Sequence, residues 1–238
     1  MLKHYPSKNL GYANHGWLKT KHHFSFAQYY NPNRMGFGAL RVVNDDLVEP
    51  NSGFPPHPHR NMEIISYVRS GSIIHQDSEG NKGVTKAGEV QVMSAGKGIV
   101  HSEYNRSKEP LTFYQIWIET NSQNAKPRWQ AKPFPRKEVT RELTLLVSGF
   151  QEDKGSALPI HQEARIYGGR IKKGVEIKHT ITNQAYVLAS EGCFDVIIEK
   201  PMQKVVMQKG DGLEVTKTKV IYLKANIDSE LLIIDVPT

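Results

Sequence analysis

Residues 53–64 read GFPPHPHRNMEI and place His57 and His59 two positions apart in a short extended segment. A second segment, GKGIVHSEYN at residues 96–105, repeats this spacing with His101 and Glu103. Residues two apart on a β-strand point to the same face, so each pair can direct its side chains to a common point. Imidazoles with a carboxylate are ligands of non-haem iron, manganese, nickel, copper and zinc centres. The two pairs together therefore predict one metal site.

The remaining pattern predicts an all-β chain with few short helices. Short runs rich in Val, Ile, Tyr and Phe alternate with Gly, Asn, Asp and Ser, a regularity typical of a sandwich or barrel. The segment 77–81 reads as a hairpin turn. The predicted strands are 63–68, 72–75, 88–93, 111–119, 143–148, 175–180, 185–189, 194–199, 219–223 and 230–236.

Composition narrows the class of protein. The 238 residues have the apolar content of an ordinary soluble protein, and no run approaches the ~18 apolar residues of a membrane span. The N-terminus has no apolar leader, and one cysteine, Cys193, fits a reducing compartment, so we expect a cytoplasmic protein. The net charge of +7 favours anions, but Lys and Arg are dispersed and form no nucleic-acid motif, which argues against direct nucleic-acid binding.

The chain is long enough for two β domains. Residues 121–135 are rich in Asn, Gln, Lys and Pro and are predicted to form a linker. We therefore expect an N-terminal metal-binding domain over 1–130 and a C-terminal domain over 131–238. The second half contains no H-x-H pair, which predicts that its domain has no metal site of this kind.

Longer stretches carry a family resemblance. The order Gly53, His57, His59, Glu63, Gly71, followed by Gly88, Gly98, His101 and Asn105, resembles the two cupin motifs. Over roughly the first 120 residues the chain resembles the pirin family, specifically its bacterial quercetinase-like members. The matching stretches are HGWLKTKHHFSFAQYY (15–30), MGFGALRVVNDD (35–46), HPHRNMEIISYV (57–68), HQDSEGN (75–81) and MSAGKGIVHSEYN (93–105).

This resemblance implies a bicupin, two stacked β-barrels of the double-stranded β-helix type, with a metal in the N-terminal barrel only. It implies His57, His59, His101 and Glu103 as ligands of one divalent transition metal per chain, Fe(II) first, with Ni, Mn, Co, Cu or Zn as alternatives. The general cupin pattern would instead supply Glu63, which shares parity with His57 and His59 if the strand is regular. The pirin match favours Glu103 and leaves Glu63 with a structural role.

Similarity to the quercetinase-like members implies a dioxygenase that cleaves the flavonol ring of quercetin, or of a related enolic or phenolic substrate, with O2 and release of CO. Glu103 would both bind the metal and accept the substrate proton. The alternative is a metal-dependent regulatory protein, a transcription cofactor that binds protein partners. A sugar isomerase is disfavoured, because it leaves the pirin-like N-terminal stretches unexplained.

Other polar residues are interpreted more simply. Gln115 lies in an apolar strand, where a buried amide needs partners and can bond either the metal ligands or the backbone. The side chains expected to have ordinary structural roles are His22, His23, His75, His161, His179 and Cys193.

Overall fold

The computed structural model describes residues 1–134 and 137–238, and strands dominate both parts. Two one-turn 3-10 helices lie at Ser7–Asn9 and Gln151–Asp153. In chain order the strands are β1 (Leu2–Tyr5), β2 (Gly11–Asn14), β3 (Leu18–His22), β4 (Leu40–Val48), β5 (Ser52–His59), β6 (Met62–Ser70), β7 (Ser72–Asp77), β8 (Lys82–Lys86), β9 (Glu89–Ser94), β10 (Ile99–Asn105), β11 (Leu111–Glu119), β12 (Arg128–Pro133), β13 (Thr144–Ser148), β14 (Leu158–Pro159), β15 (Arg165–Ile171), β16 (Glu176–Thr180), β17 (Gln184–Glu191), β18 (Cys193–Glu199), β19 (Met202–Gln208), β20 (Gly212–Val215), β21 (Val220–Ala225) and β22 (Ser229–Val236).

One compact unit contains Gly11–Phe134 together with Leu158–Gln162. Its strands form two antiparallel sheets, in the orders β12-β9-β6-β11-β4-β3-β2 and β5-β10-β7-β8. Side chains from both sheets share one apolar cluster, in which Ile73 of β7 packs with Val68 of β6 and Phe113 of β11. The two sheets therefore close around a common interior.

Several inward-facing side chains of the smaller sheet are polar, and they include residues of the predicted metal site. Along β10 burial alternates strictly, so that His101, Glu103 and Asn105 face inward while Val100 is exposed. The period of two is that of a strand with one buried face, but here the buried face is largely polar. Polar side chains of β10 thus point into the interior of this barrel.

The other compact unit contains Met1–Leu10 and most of residues 137–238. Its strands include two antiparallel series, β1-β20-β17-β22-β15-β13 and β16-β21-β18-β19. Its interior is filled by apolar side chains, among them Ile177, Val187, Val196 and Leu223, all at most 1% exposed. Apolar side chains therefore take the space that a ligand would need.

The structure confirms the all-β class, and each of the ten predicted strands is present. The predicted linker is wrong over much of its length, because Arg128–Pro133 is strand β12 and pairs with β9; Pro135 lies outside the described residues. Residues 1–10 do not belong with the N-terminal domain proposed over 1–130, because β1 pairs with β20. Within the described part of the chain, no helix is long and apolar enough to cross a membrane.

Candidate metal centre

Three imidazoles converge inside the N-terminal barrel. His57 and His59 lie on β5, and His101 lies opposite His57 on the adjacent β10. Strand β5 tolerates three prolines because it is the edge strand of its sheet, where a missing N–H is not needed for pairing. The ligand nitrogens of the three histidines all lie within 4.8 Å of one another.

The hydrogen-bond partners around His101 indicate which ring nitrogens carry a proton. Nδ1 of His57 is 2.7 Å from the carbonyl oxygen of Pro55, which can only accept, so this nitrogen carries the proton and Nε2 holds a lone pair. Nε2 of His57 lies 3.0 Å from Nε2 of His101. On the other side, Nδ1 of His101 lies 3.5 Å from Nδ1 of His75.

His75 is itself fixed by Asp77. Its Nε2 lies 2.9 Å from Oδ2 of Asp77, and both side chains are fully buried. Burial lowers the pKa of His75 despite the opposing effect of Asp77. Burial also disfavours charge on Asp77, yet hydrogen bonds from His75 and Asn81 leave the pKa of this carboxyl below its ordinary value. A neutral His75 beside a carboxylate donates from Nε2, so its Nδ1 faces His101 as an acceptor.

A neutral His101 has one ring proton but faces two acceptors, Nε2 of His57 and Nδ1 of His75. A cation between His57 and His101 resolves this mismatch, because the lone pairs can bind it while His101 donates from Nδ1 to His75. Two nitrogens about 2.1 Å from one ion, at right angles, lie about 3.0 Å apart, which is the observed spacing. The residues therefore fit a metal ion.

His59 supplies a second sign of the same site. Among the described residues its buried Nε2 has no hydrogen-bond partner, which is also true of His179, but His59 in addition belongs to a group of three imidazoles whose ligand nitrogens lie within 4.8 Å of one another. Burial lowers the pKa of His59 to about 4 and that of His101 to about 2, with neighbouring imidazoles adding to the effect. Both rings are thus neutral at physiological pH, the form that binds metal.

Glu103 lies beside His101 in a buried hydrogen-bond network. Its carboxylate oxygens accept from Nε2 of Gln91 at 2.5 Å and from Nε2 of Gln115 at 3.3 Å. The amide of Gln115 therefore bonds Glu103, which is one of the predicted ligands. Burial, strengthened by the charge of Asp46, raises the pKa of Glu103 to about 7. Glu103, His101 and His75 form a second group of potential ligands, which shares His101 with the first.

Glu63 occupies a different environment. The chain turns at Asn61, which has φ of 48°. Glu63 therefore lies on a new strand, β6, which begins at Met62, and it does not continue the parity of His57 and His59. Its Oε2 accepts a 2.6 Å bond from the hydroxyl of Ser94, and Arg128 donates to the same hydroxyl. The expectation that Glu63 shares a strand face with the two histidines is therefore wrong.

A cavity of about 540 Å³ opens over His57 and His59. Five Phe, Tyr and Trp rings line it, from Tyr12, Phe26, Tyr29, Phe54 and Trp117. Its polar wall comes mainly from β3 and β4, with Gln115 of β11, and consists of Thr20, His22, Asn44, Asp46 and Gln115. The cavity is thus largely aromatic, with polar groups grouped on one side.

Some residues expected to have only structural or turn roles lie at the site, whereas others lie away from it. His22 lines the cavity and bonds Asn44 at 2.8 Å, so it does more than the structural role expected of it. His75 and Asp77 form a buried pair, which goes beyond the structural and turn roles expected of them, and they show the same spacing of two that marks the other pairs. His161 and Glu163 share that spacing too, but they lie between strands. His179 is buried against Tyr167 in the C-terminal unit, as a structural histidine would be.

Comparison with known proteins agrees with this architecture. Residues 4–118 match the Pirin family, and residues 145–236 match the quercetinase C-terminal cupin domain. A pirin-like protein of Caulobacter vibrioides is 47% identical, with 99% of each chain covered. The quercetin 2,3-dioxygenase of Escherichia coli K12 is 42% identical, with 95% of each chain covered.

A solved structure supports the same conclusion. The E. coli bacterial pirin YhhW in complex with nickel(II) is 39% identical, with a TM-score of 0.90, covering all of this chain and 99% of the other. The identity and coverage of these relatives confirm the predicted resemblance. This chain belongs to the pirin family and has the bicupin fold, with an N-terminal pirin domain and a C-terminal quercetinase-type cupin domain.

Proposed function

We propose that this protein is a metal-dependent dioxygenase that cleaves the flavonol ring of quercetin, or of a related enolic or phenolic substrate, with O2 and release of CO. The observation that carries this proposal is the aromatic cavity directly over converging imidazoles. Its volume of about 540 Å³ lies within the ~300–1,000 Å³ range of small-molecule pockets. The relatives named as quercetin dioxygenases support the same activity.

In this proposal His57, His59, His101 and Glu103 hold one divalent transition metal, Fe(II) first, with Ni, Mn, Co, Cu or Zn as alternatives. The excess of lone pairs around His101 and the unpartnered Nε2 of His59 support the imidazole part of the set. When bound, the metal would supply a Lewis acid and open positions for substrate oxygen and dioxygen. The E. coli relative that was solved in complex with nickel(II) supports a divalent ion as the bound metal.

Glu103 would take the proton of the flavonol 3-hydroxyl. A carboxylate at this position can accept that proton, a general-base role typically worth about 10²–10⁴ in rate. The amides of Gln91 and Gln115 hold both carboxylate oxygens in place while that proton is transferred. In the overall reaction two ring C–C bonds break, both atoms of O2 enter the depside, and the carbon bearing the 3-hydroxyl leaves as CO.

The cavity walls would orient the substrate. Phe26 and Trp117 pack edge to face with their ring centroids 5.4 Å apart, so these walls are fixed by each other. A planar polyphenol can lie against such rings, while Thr20 and Asp46, which also line the cavity, can bond its hydroxyls. The aromatic side chains also reduce the access of water to the reacting ring.

The test is stoichiometric oxygen uptake and CO release with quercetin. Metal-loaded protein should show both, whereas apo protein and the His57→Ala/His59→Ala variant should show neither. A matched control is His179→Phe, which removes a buried histidine from the C-terminal barrel and should leave turnover intact. Absence of CO across iron, manganese, nickel, cobalt and copper reconstitutions would refute the activity and favour the regulatory alternative.

A further inference from the structure

A buried chain of polar side chains runs from a surface hairpin to His101. At its outer end, Asp77 accepts the backbone N–H groups of Glu79 and Asn81, each at 3.0 Å, and the side-chain amide of Asn81. Its other oxygen accepts from Nε2 of His75 at 2.9 Å. The orientation of His75 is thus set by the turn that joins β7 to β8.

His75 is also held from the side. The ring of Trp129 stacks on it with centroids 4.9 Å apart and planes 9° from parallel. Gly83, which lies opposite His75 on β8, leaves the space for that indole, because a Cβ there would overlap the Trp129 ring. With Asp77 fixing one nitrogen and Trp129 fixing the plane, Nδ1 of His75 points at Nδ1 of His101 with a lone pair.

We propose that His75 and Asp77 are positioning residues that keep the single proton of His101 on Nδ1, so that its Nε2 is presented to the metal. This inference rests on the proposed metal site but not on the proposed reaction. Without the acceptor at His75, the proton of His101 would go to Nε2, 3.0 Å from the acceptor nitrogen of His57, and would block the lone pair that the ion needs. Partners of this kind are typically worth about 10–100-fold in metal affinity.

Two substitutions of His75 separate this role from simple packing. His75→Phe keeps an aromatic ring against Trp129 but removes the acceptor, whereas His75→Asn loses the ring and leaves a side-chain oxygen near the position of Nδ1. A positioning role predicts a loss of about 10–100-fold in Zn(II) affinity for His75→Phe and a smaller loss for His75→Asn. A packing role predicts the opposite order. His179→Phe, a buried histidine outside the site, is the control and should bind Zn(II) as the wild type does.

The experiment is equilibrium Zn(II) titration against a competing chelator, together with ¹⁵N NMR of histidine-labelled protein. In the Zn(II)-loaded wild type, His101 should show a protonated Nδ1 and an unprotonated Nε2. An unprotonated Nδ1, or equal affinities for His75→Phe and the wild type, would overturn the proposal. If His75→Phe does not fold, Asp77→Asn, which can no longer hold the tautomer of His75, should lose affinity in the same assay.

The outcomes distinguish this inference from the proposed function. Failure to turn over quercetin, with the predicted order of Zn(II) affinities intact, would refute the dioxygenase activity and leave the positioning role supported. Equal Zn(II) binding by the wild type and the His57→Ala/His59→Ala variant would overturn the metal site itself, and the positioning role with it.

Discussion

Replacing Glu103 with Gln should remove most activity, whereas the same change at Glu63 should be tolerated. Glu103→Gln takes away both the proposed anionic ligand and the base, and loss of a general base typically costs about 10²–10⁴ in rate. Glu63→Gln keeps an oxygen that can still accept from Ser94 on the paired strand β9. It disturbs the hydrogen bonds that Glu63 accepts from Ser94 and from the backbone of His161, each worth about 1 kcal/mol, but it removes no proposed metal ligand.

The structure also predicts a stability cost for Glu103→Gln. The hydroxyl of Thr85 and the indole N–H of Trp129 both donate to Oε1 of Gln91, so the Gln91 amide must present its N–H to Glu103. A glutamine at position 103 would place its own N–H₂ next to the donating amide of Gln91 or Gln115, and two donors cannot bond each other. Leaving one buried donor unsatisfied costs about 1–3 kcal/mol, so Glu103→Gln should also lower the free energy of unfolding by that amount.

Both variants should be assayed in parallel for metal content, quercetin turnover and denaturant unfolding. The expected result is a metal-depleted, inactive and less stable Glu103→Gln beside a loaded and active Glu63→Gln. A loaded, active Glu103→Gln with an empty Glu63→Gln would refute both the ligand assignment and the network argument.

Elemental analysis should find one metal per chain, lost in His57→Ala/His59→Ala; two metals per chain would contradict a single site. Ala13→Trp, which fills the cavity, should reduce quercetin turnover without releasing metal, and metal loss would place Ala13 too close to the ligands. Burial lowers the pKa of His179 to about 4, so the unfolded chain binds this proton first and stability falls as pH drops from 6.5 toward 4. Against an unfolded pKa of 6.5, the loss between pH 7 and 5 is about 2 kcal/mol, and His179→Phe should abolish it in pH-dependent unfolding.

The sequence predicted the strands because hydrophobic alternation is local, and it predicted the histidine pairs because a spacing of two is local as well. The parity that would have placed Glu63 with His57 and His59 holds only along an uninterrupted strand, and Asn61 breaks this one. Pairing between strands that are far apart in the sequence cannot be predicted from such local patterns. Nothing near residues 2–5 indicates that they pair with β20.

The cavity wall formed by Thr20 and Asp46 was unpredictable for the same reason. These two residues face each other because β3 pairs with β4, a pairing that depends on how the whole sheet is assembled. His75 and Asp77 did carry the informative spacing. The sequence indicates a structural role for His75 and a turn at Asp77, where the hairpin begins. Only the fold shows that the carboxylate of Asp77 also orients the ring of His75.

The two interiors of this chain show what a polar site requires of a barrel. In the C-terminal barrel apolar side chains fill the interior, and these side chains need no hydrogen-bond partners. In the N-terminal barrel each buried polar group must have a partner or lose about 1–3 kcal/mol, and neutral residues such as Thr85, Gln91 and Trp117 supply many of them. Because Trp117 fixes the Gln115 amide as Thr85 fixes Gln91, the orientation of Glu103 depends on residues that never reach the metal. Substitutions of these neutral partners should therefore impair the site nearly as much as loss of a ligand.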